Sequence, residues 1–191
     1  MVKECGLKLR EVPIQHRSYA LCLAAMKQNP AALEHAPKEY ILGALRADGA
    51  RMQLLPESCL DEEICVTAVQ DNWTLLGDIP EGHRTKSVCL AAVRESGLAL
   101  EDVPMQLRTE ELCAAAFQQT PMALKDIPSE LVTDAMRLTA VKDRGVALEH
   151  IPEDRRTEAI CLAAVNASRY ALQHVPERHR SKCLAAHLLQ W

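Results

Sequence analysis

Residues 88–109, VCLAAVRESGLALEDVPMQLRT, are the pattern on which nearly all of the chain can be laid with little gapping. Its proline belongs to a series: Pro13, Pro37, Pro56, Pro80, Pro104, Pro128, Pro152 and Pro176 follow one another at 24, 19, 24, 24, 24, 24 and 24 residues. A fixed period in the range of ~20 to 50 residues marks a solenoid or array. Each unit is too small to bury an apolar face alone and does so against its neighbours.

Counting back from each proline gives every column a purpose. Twelve residues before it stands alanine in each complete helix: Ala25, Ala44, Ala68, Ala92, Ala116, Ala140 and Ala164. Eleven before it are Met26, Leu45, Val69, Val93, Phe117, Val141 and Val165; fourteen before it are Leu23, Leu42, Val66, Leu90, Ala114, Leu138 and Leu162. Apolar positions three and four apart make one helical stripe, so these columns are expected to face the core. The alanine is expected to let the next helix approach closely.

Start and stop signals agree with this phase. Five residues after the proline come Ser18, Asp61, Thr85, Thr109, Thr133, Thr157 and Ser181, whose side-chain oxygens suit helix N-caps. Acids follow several of them, where the helix dipole favours negative charge. Seven before the next proline stand Gly6, Gly49, Gly97 and Gly145, which suit a left-handed helix stop; Pro30, Trp73, Pro121 and Arg169 replace glycine elsewhere. Each unit reads as a helix of about three turns, then a short connector with proline placed to begin a second brief helical turn.

The expected fold is therefore all-α: an α-solenoid of about eight 24-residue units, one array over residues 1–191, taken as right-handed by analogy with other helical solenoids. With 48% hydrophobic residues but only one Phe, two Trp and three Tyr, the core must be built from Leu, Val, Ala and Cys. No run of ~18 uncharged apolar residues is present, so no membrane span is expected. No basic-then-apolar leader opens the chain, which makes a cytoplasmic address the default.

Both ends and one internal unit depart from the pattern. MVKECG matches only the last turns of a helix and KCLAAHLLQW enters a helix and stops. We expect either a fragment of a longer array or a short array with unusual ends. In the last helix Leu188, Leu189 and Trp191 occupy columns that are mostly polar or glycine elsewhere. They are expected to pack against a continuation or, end to end, against another copy. Between Pro37 and Pro56 five residues are missing, so KEYILGAL should run from proline straight into helix.

Eight cysteines invite a metal or disulfide reading, which their spacing opposes. Cys22, Cys65, Cys89, Cys113 and Cys161 share one column, and Cys183 joins it if two residues are dropped. Column neighbours lie one repeat apart, about 10 Å at helix-packing distance. Zinc ligands must lie within ~2.3 Å of one ion and bridged cysteines within ~7 Å between α-carbons. The column is expected to be reduced and buried. Cys5 and Cys59 fall off it and are expected to be the accessible thiols. His35, His150 and His174, two before the proline, and His16, His83 and His179, three after it, are placed on the connector surface. No phosphate loop, nucleophile elbow or HExxH occurs, and no catalytic residue, cofactor or metal site is assigned.

Arginine is the remaining signal. Arg17, Arg84, Arg108, Arg156 and Arg180 stand just before the cap. They are read as a ladder pairing with connector acids of a neighbouring unit, in preference to a row of anion-binding forks. Arg137 interrupts the cysteine column. A buried, unpaired arginine is very costly, so it must reach solvent or find an acid, unless it serves a function. Ten before the proline runs a basic column, Lys3, Lys27, Arg46, Arg94 and Lys142, past the core stripe on exposed helix surface. Lys27, Arg46, Arg94 and Lys142, with Asp78, Asp102 and Asp126 on the connector face, are the candidate partner-binding residues.

The phrases CLAAVRESGLALEDVP, CLAAVNASRYALQHVP and PERHRS resemble the helical repeats of the bacterial domain-of-unknown-function family 4116. In that family a Leu-Ala-Ala-Val helix is followed by a Gly-x-Ala-Leu connector and a charged turn. The resemblance covers nearly the whole chain. It implies an interaction array from bacterial proteins, effectors among them, and no reaction.

Three functions stand at this point. The first is a protein-binding scaffold, since a solenoid keeps its core columns constant while exposed ones vary. The second is an enzyme or small-ligand site at an irregular unit, around Arg137 or the shortened second one. The third is nucleic-acid binding along the basic column, against which a net charge of -4 and a pI near 6.0 argue.

Overall fold

The computed structural model describes residues 6–47 and 55–188. Among them the chain is all-helical, with no strand. Eight α-helices run in chain order: α1 (Tyr19–Gln28), α2 (Lys38–Ala47), α3 (Glu62–Asp71), α4 (Lys86–Glu95), α5 (Glu110–Gln119), α6 (Asp134–Asp143), α7 (Glu158–Ala167) and α8 (Glu177–Leu188). α1 to α7 each have 10 residues, or about three turns.

The expected caps form. Leu21, Ile64, Leu112, Met136 and Ile160 donate their backbone N–H groups to the side-chain oxygens of Ser18, Asp61, Thr109, Thr133 and Thr157. Val88 does the same to Thr85 at 3.4 Å. Ser181 is the exception. α8 starts directly after Pro176 and runs through it, as α2 starts directly after Pro37 in the shortened unit.

Connectors between successive α-helices are more regular than expected. A six-residue 3₁₀ helix precedes the proline and a three-residue one follows it, as at Gly145–His150 and Glu153–Arg155. Helices stop on an extended residue one position before the glycine column. Asn29, Asn72, Thr120, Arg144 and Ser168 have φ of -149°, -153°, -147°, -139° and -157°. Their N–H groups bond the carbonyls of Ala25, Ala68, Ala116, Ala140 and Ala164, so the alanine column also ends each helix.

The left-handed stop expected of glycine is not what the structure uses, because no described glycine has positive φ. Gly97 and Gly145 serve close approach instead. A β-carbon on Gly97 would land on the Ala116 carbonyl oxygen and within 3.0 Å of the Thr120 side chain. One on Gly145 would land on the Ala164 carbonyl oxygen and 2.9 Å from the backbone nitrogen of Ser168. Gly49 and Cys5 lie outside the described residues.

Contacts divide the chain into two compact bodies, Met1–Glu95 with Asp102–Pro104 and Ser96–Glu101 with Met105–Trp191. In the first, α3 packs against α2 and α4, with Ile64, Cys65, Ala68, Val69, Val88, Cys89, Ala92 and Val93 buried. In the second, α7 packs against α6 and α8 around Ala140, Val141, Leu148, Ile151, Ile160, Cys161, Ala164 and Val165.

The buried helical stripe differs by one column from the expectation. It comprises the residues sixteen, fifteen, twelve and eleven before the proline, Ile160, Cys161, Ala164 and Val165 in α7. The column fourteen before is only half buried at Val66, Leu90, Leu138 and Leu162, and exposed at Ala114. At 3.6 residues per turn this column lies about 100° round the helix from the cysteines, on the edge of the stripe. Among the described residues no helix is long and apolar enough to cross a membrane.

Candidate functional site

The connector face is built by arginine. Arg156 donates from Nε to the Ile151 carbonyl at 2.7 Å, from one terminal nitrogen to the His174 carbonyl at 2.6 Å, and from the other to the Glu149 carbonyl at 3.2 Å. Arg84 repeats this with the carbonyls of Ile79 at 2.7 Å, Asp102 at 2.6 Å and Gly77 at 2.9 Å. Arg17 uses those of Val12, His35 and Arg10, and Arg108 those of Asp126 and Glu101. Two acceptors belong to the arginine's own connector and the third, eighteen residues on, to the next. The fork of five N–H groups thus sews successive connectors together.

This corrects the pairing with connector acids. The arginines of the ladder reach backbone carbonyls because the 3₁₀ turns leave those oxygens aimed at one point. Arg180, in the continuous α8, keeps a carbonyl at Val175 and also pairs with Glu177. Arg17, Arg84 and Arg156 each direct three N–H groups to backbone carbonyls.

Acids and lysines one repeat apart add a second layer. Lys125 meets Glu101 at 2.7 Å and Lys182 meets Glu158 at 2.7 Å; Lys38 meets Asp61 at 2.7 Å and Glu63 at 2.5 Å. The Lys125 ammonium holds the Glu101 carboxyl below its ordinary range, while burial pushes Asp126 up. Of the connector-face candidates, Asp78, Asp102 and Asp126 are each half buried. Asp102 and Asp126 also lend their carbonyls to the ladder.

The cysteine column is core. Cys22, Cys65, Cys89, Cys113, Cys161 and Cys183 are free and buried, whereas Cys59 is partly exposed. The Cys89 thiol donates to the Arg84 carbonyl at 3.5 Å and the Cys161 thiol to the Arg156 carbonyl at 3.7 Å, tying helix to ladder. Burial pushes the thiols of Cys65, Cys89 and Cys161 up to about 11. His150 and His174 each approach Glu149, at 3.3 and 3.4 Å. No cluster of three or more His, Cys, Asp or Glu fit to hold a metal occurs among the described residues.

Open grooves run between neighbouring α-helices. Between α3 and α4 a cavity of about 350 Å³ is lined by Val66, Gln70, Ser87, Leu90, Ala91, Arg94 and Glu95. Between α6 and α7 one of about 530 Å³ is lined by Leu138, Lys142, Ala159, Leu162, Ala163, Asn166 and Ala167. The same columns recur in both. The half-buried residues fourteen before the proline supply the apolar floor, and the column ten before supplies Arg94 and Lys142 to the walls. Lys27, Arg94 and Lys142 are exposed, as expected of that column. The side chains of Arg46 and Leu188, and all of Leu189 and Trp191, lie outside the description. The groove floor was missed in the sequence because its residues are as apolar as core residues.

Arg137, which the sequence singled out, stands in the column that holds cysteine in five other units. Arg137 is the sole buried charged residue among those described, at 7% exposure. It finds an acid: one terminal nitrogen meets Asp134 at 2.6 Å. Its Nε is buried without a partner, an arrangement that costs on the order of 1–3 kcal/mol.

No family model, no curated protein and no solved structure matches this chain.

Proposed function

We propose that the chain is a protein-interaction scaffold, an α-solenoid of about eight short units whose partner lies along the helix face. The observation that carries the reading is the repeated groove. Each of the two has an apolar floor and a cation in its wall. The connector face, by contrast, has its arginines and carbonyls committed to one another.

A fitting partner is a protein segment with apolar side chains for the floor and acidic ones for Arg94 and Lys142. The resemblance to the repeats of family 4116 supports an interaction array and extends the proposal to a bacterial effector. A cytoplasmic setting, of the bacterium or of a host, suits the free thiols. Self-association end to end through Leu188, Leu189 and Trp191 belongs to the same proposal and is read by light scattering.

The test is capture from lysate by the wild type and by the variant Lys27→Glu, Arg94→Glu, Lys142→Glu. These side chains are exposed, so helicity should be unchanged while the captured protein is lost. Unchanged affinity would move the interface to the connector face of Asp78, Asp102 and Asp126. Capture abolished by nuclease would replace the protein partner with nucleic acid.

A further inference from the structure

The unit between Pro128 and Pro152 has two exceptions, and the fold brings them together. Val132 stands where the ladder has arginine, and Arg137 stands where the helix column has cysteine. The ladder's acceptors lie seven and five residues before the arginine and eighteen after it. In this unit those positions are Lys125, Ile127 and His150. All three line a cavity of about 180 Å³, together with Val132 and Arg137. A valine side chain has no N–H, so their carbonyls lack the fork that serves the same positions in other units.

The cations nearby do not replace that fork. Arg137 directs a terminal nitrogen to Asp134 at 2.6 Å, and its Nε is buried without a partner. The Lys125 ammonium meets Glu101 at 2.7 Å and lies 3.6 Å from Asp126. Asp126, between Lys125 and Ile127 in the chain, keeps a buried Oδ2 that no donor reaches within hydrogen-bond distance. The connector therefore offers acceptors in excess, and an occupant must bring the donors.

We propose that this cavity binds a guanidinium group from outside the unit, in the place of the missing ladder arginine. A planar fork of N–H groups suits three carbonyls in the register that Arg84 and Arg156 use within the chain. Its charge strengthens each of those bonds. An ammonium is a compact, strongly hydrated point charge and suits the same acceptors less well. Ile127, Val132, Ile151 and Pro152 supply apolar walls for the flat faces of the group. The volume slightly exceeds the ~150 Å³ that admits benzene in an engineered core, which is room for a guanidinium and its first carbon. Arg137 is a like charge at the wall, paired with Asp134, and weakens the occupant without excluding it. The proposal is independent of the grooves between α-helices, which lie on other residues.

The experiment titrates the full chain with methylguanidinium, methylammonium, methylurea and acetate, followed by calorimetry and by amide chemical shifts. Methylguanidinium should shift amides within 124–152 and bind at least ~10-fold more tightly than methylurea, which has a similar shape without the charge. N-acetylarginine amide binding more tightly than methylguanidinium assigns the site to an arginine of a protein, and the reverse order assigns it to a free small guanidinium. The double variant Val132→Arg, Arg137→Cys restores the pattern of the neighbouring units, which circular dichroism checks, and should abolish binding. Arg137→Cys alone removes the like charge and should tighten methylguanidinium by about 3-fold. Preference for acetate or methylammonium, binding unchanged in the double variant, weaker binding in Arg137→Cys, or no binding of methylguanidinium by the wild type each overturns the proposal.

Discussion

Replacing Arg156 with Met keeps most of the stem and removes the guanidinium, so it isolates the ladder's hydrogen bonds from its packing. Two of those bonds are short and partly buried, at 2.7 Å to Ile151 and 2.6 Å to His174. A bond with one charged partner contributes about 1.5–3 kcal/mol net, and the lower end suits a half-buried site. The third bond, exposed and 3.2 Å long, adds little. Water reaching the freed carbonyls returns part of the loss, which leaves an expected destabilisation of about 2–3 kcal/mol. At ~2–4 °C per kcal/mol for a chain of this size, the melting temperature should fall by roughly 4–12 °C.

Arg155→Met is the control one residue away. Its side chain is 62% exposed and it pairs only with Asp154, so its loss should cost under ~0.5 kcal/mol. Arg156→Lys keeps the charge but loses the fork, and should recover less than half the deficit. Thermal and urea melts followed by circular dichroism measure all three. Amide exchange should quicken around His174, the far acceptor, in Arg156→Met alone. If Arg156→Met and Arg155→Met melt together, the ladder does not hold the connectors and the reasoning fails.

Other perturbations probe the packing. Gly97→Ala should destabilise by about 1–3 kcal/mol although alanine is the better helix former, because the obstacle is the Ala116 backbone carbonyl; a gain in stability would show that the approach relaxes. Ala92→Leu should cost about 1–3 kcal/mol at a fully buried position. Cys89→Ser should be tolerated better, its hydroxyl being able to donate to the Arg84 carbonyl, and equal melts would refute the close-contact column. Native thiol labelling should find Cys59 well before Cys65, Cys89 and Cys161. Those three buried thiols sit near 11 against an ordinary 9.0, so the folded state holds their protons more tightly. Their stabilising contribution is complete below pH 9 and is lost as pH rises toward 11. A melting temperature flat across that window would contradict their burial.

The proline period, the cap residues, the alanine and cysteine columns and the exposed row of Lys27, Arg94 and Lys142 were all legible in the chain alone. Each depends on local geometry: a cap needs its own next turn, and a buried stripe shows as spacings of three and four. What lay beyond that reach depends on contacts between units. The arginine before each cap could have met an acid or an anion. Only the folded connectors show three carbonyls converging on it, one of them eighteen residues further on. Gly97 and Gly145 look like helix stops in sequence, yet the reason for them is a carbonyl on the next helix. The column of Val66, Leu90, Leu138 and Leu162 reads as core, and packing of paired helices leaves it as a groove floor. In the sequence Arg137 stood out as a charge in the cysteine column, whereas Val132 drew no notice. Tertiary structure places them on one cavity, because side chains five residues apart share a surface only when the next connector, carrying His150, closes over them.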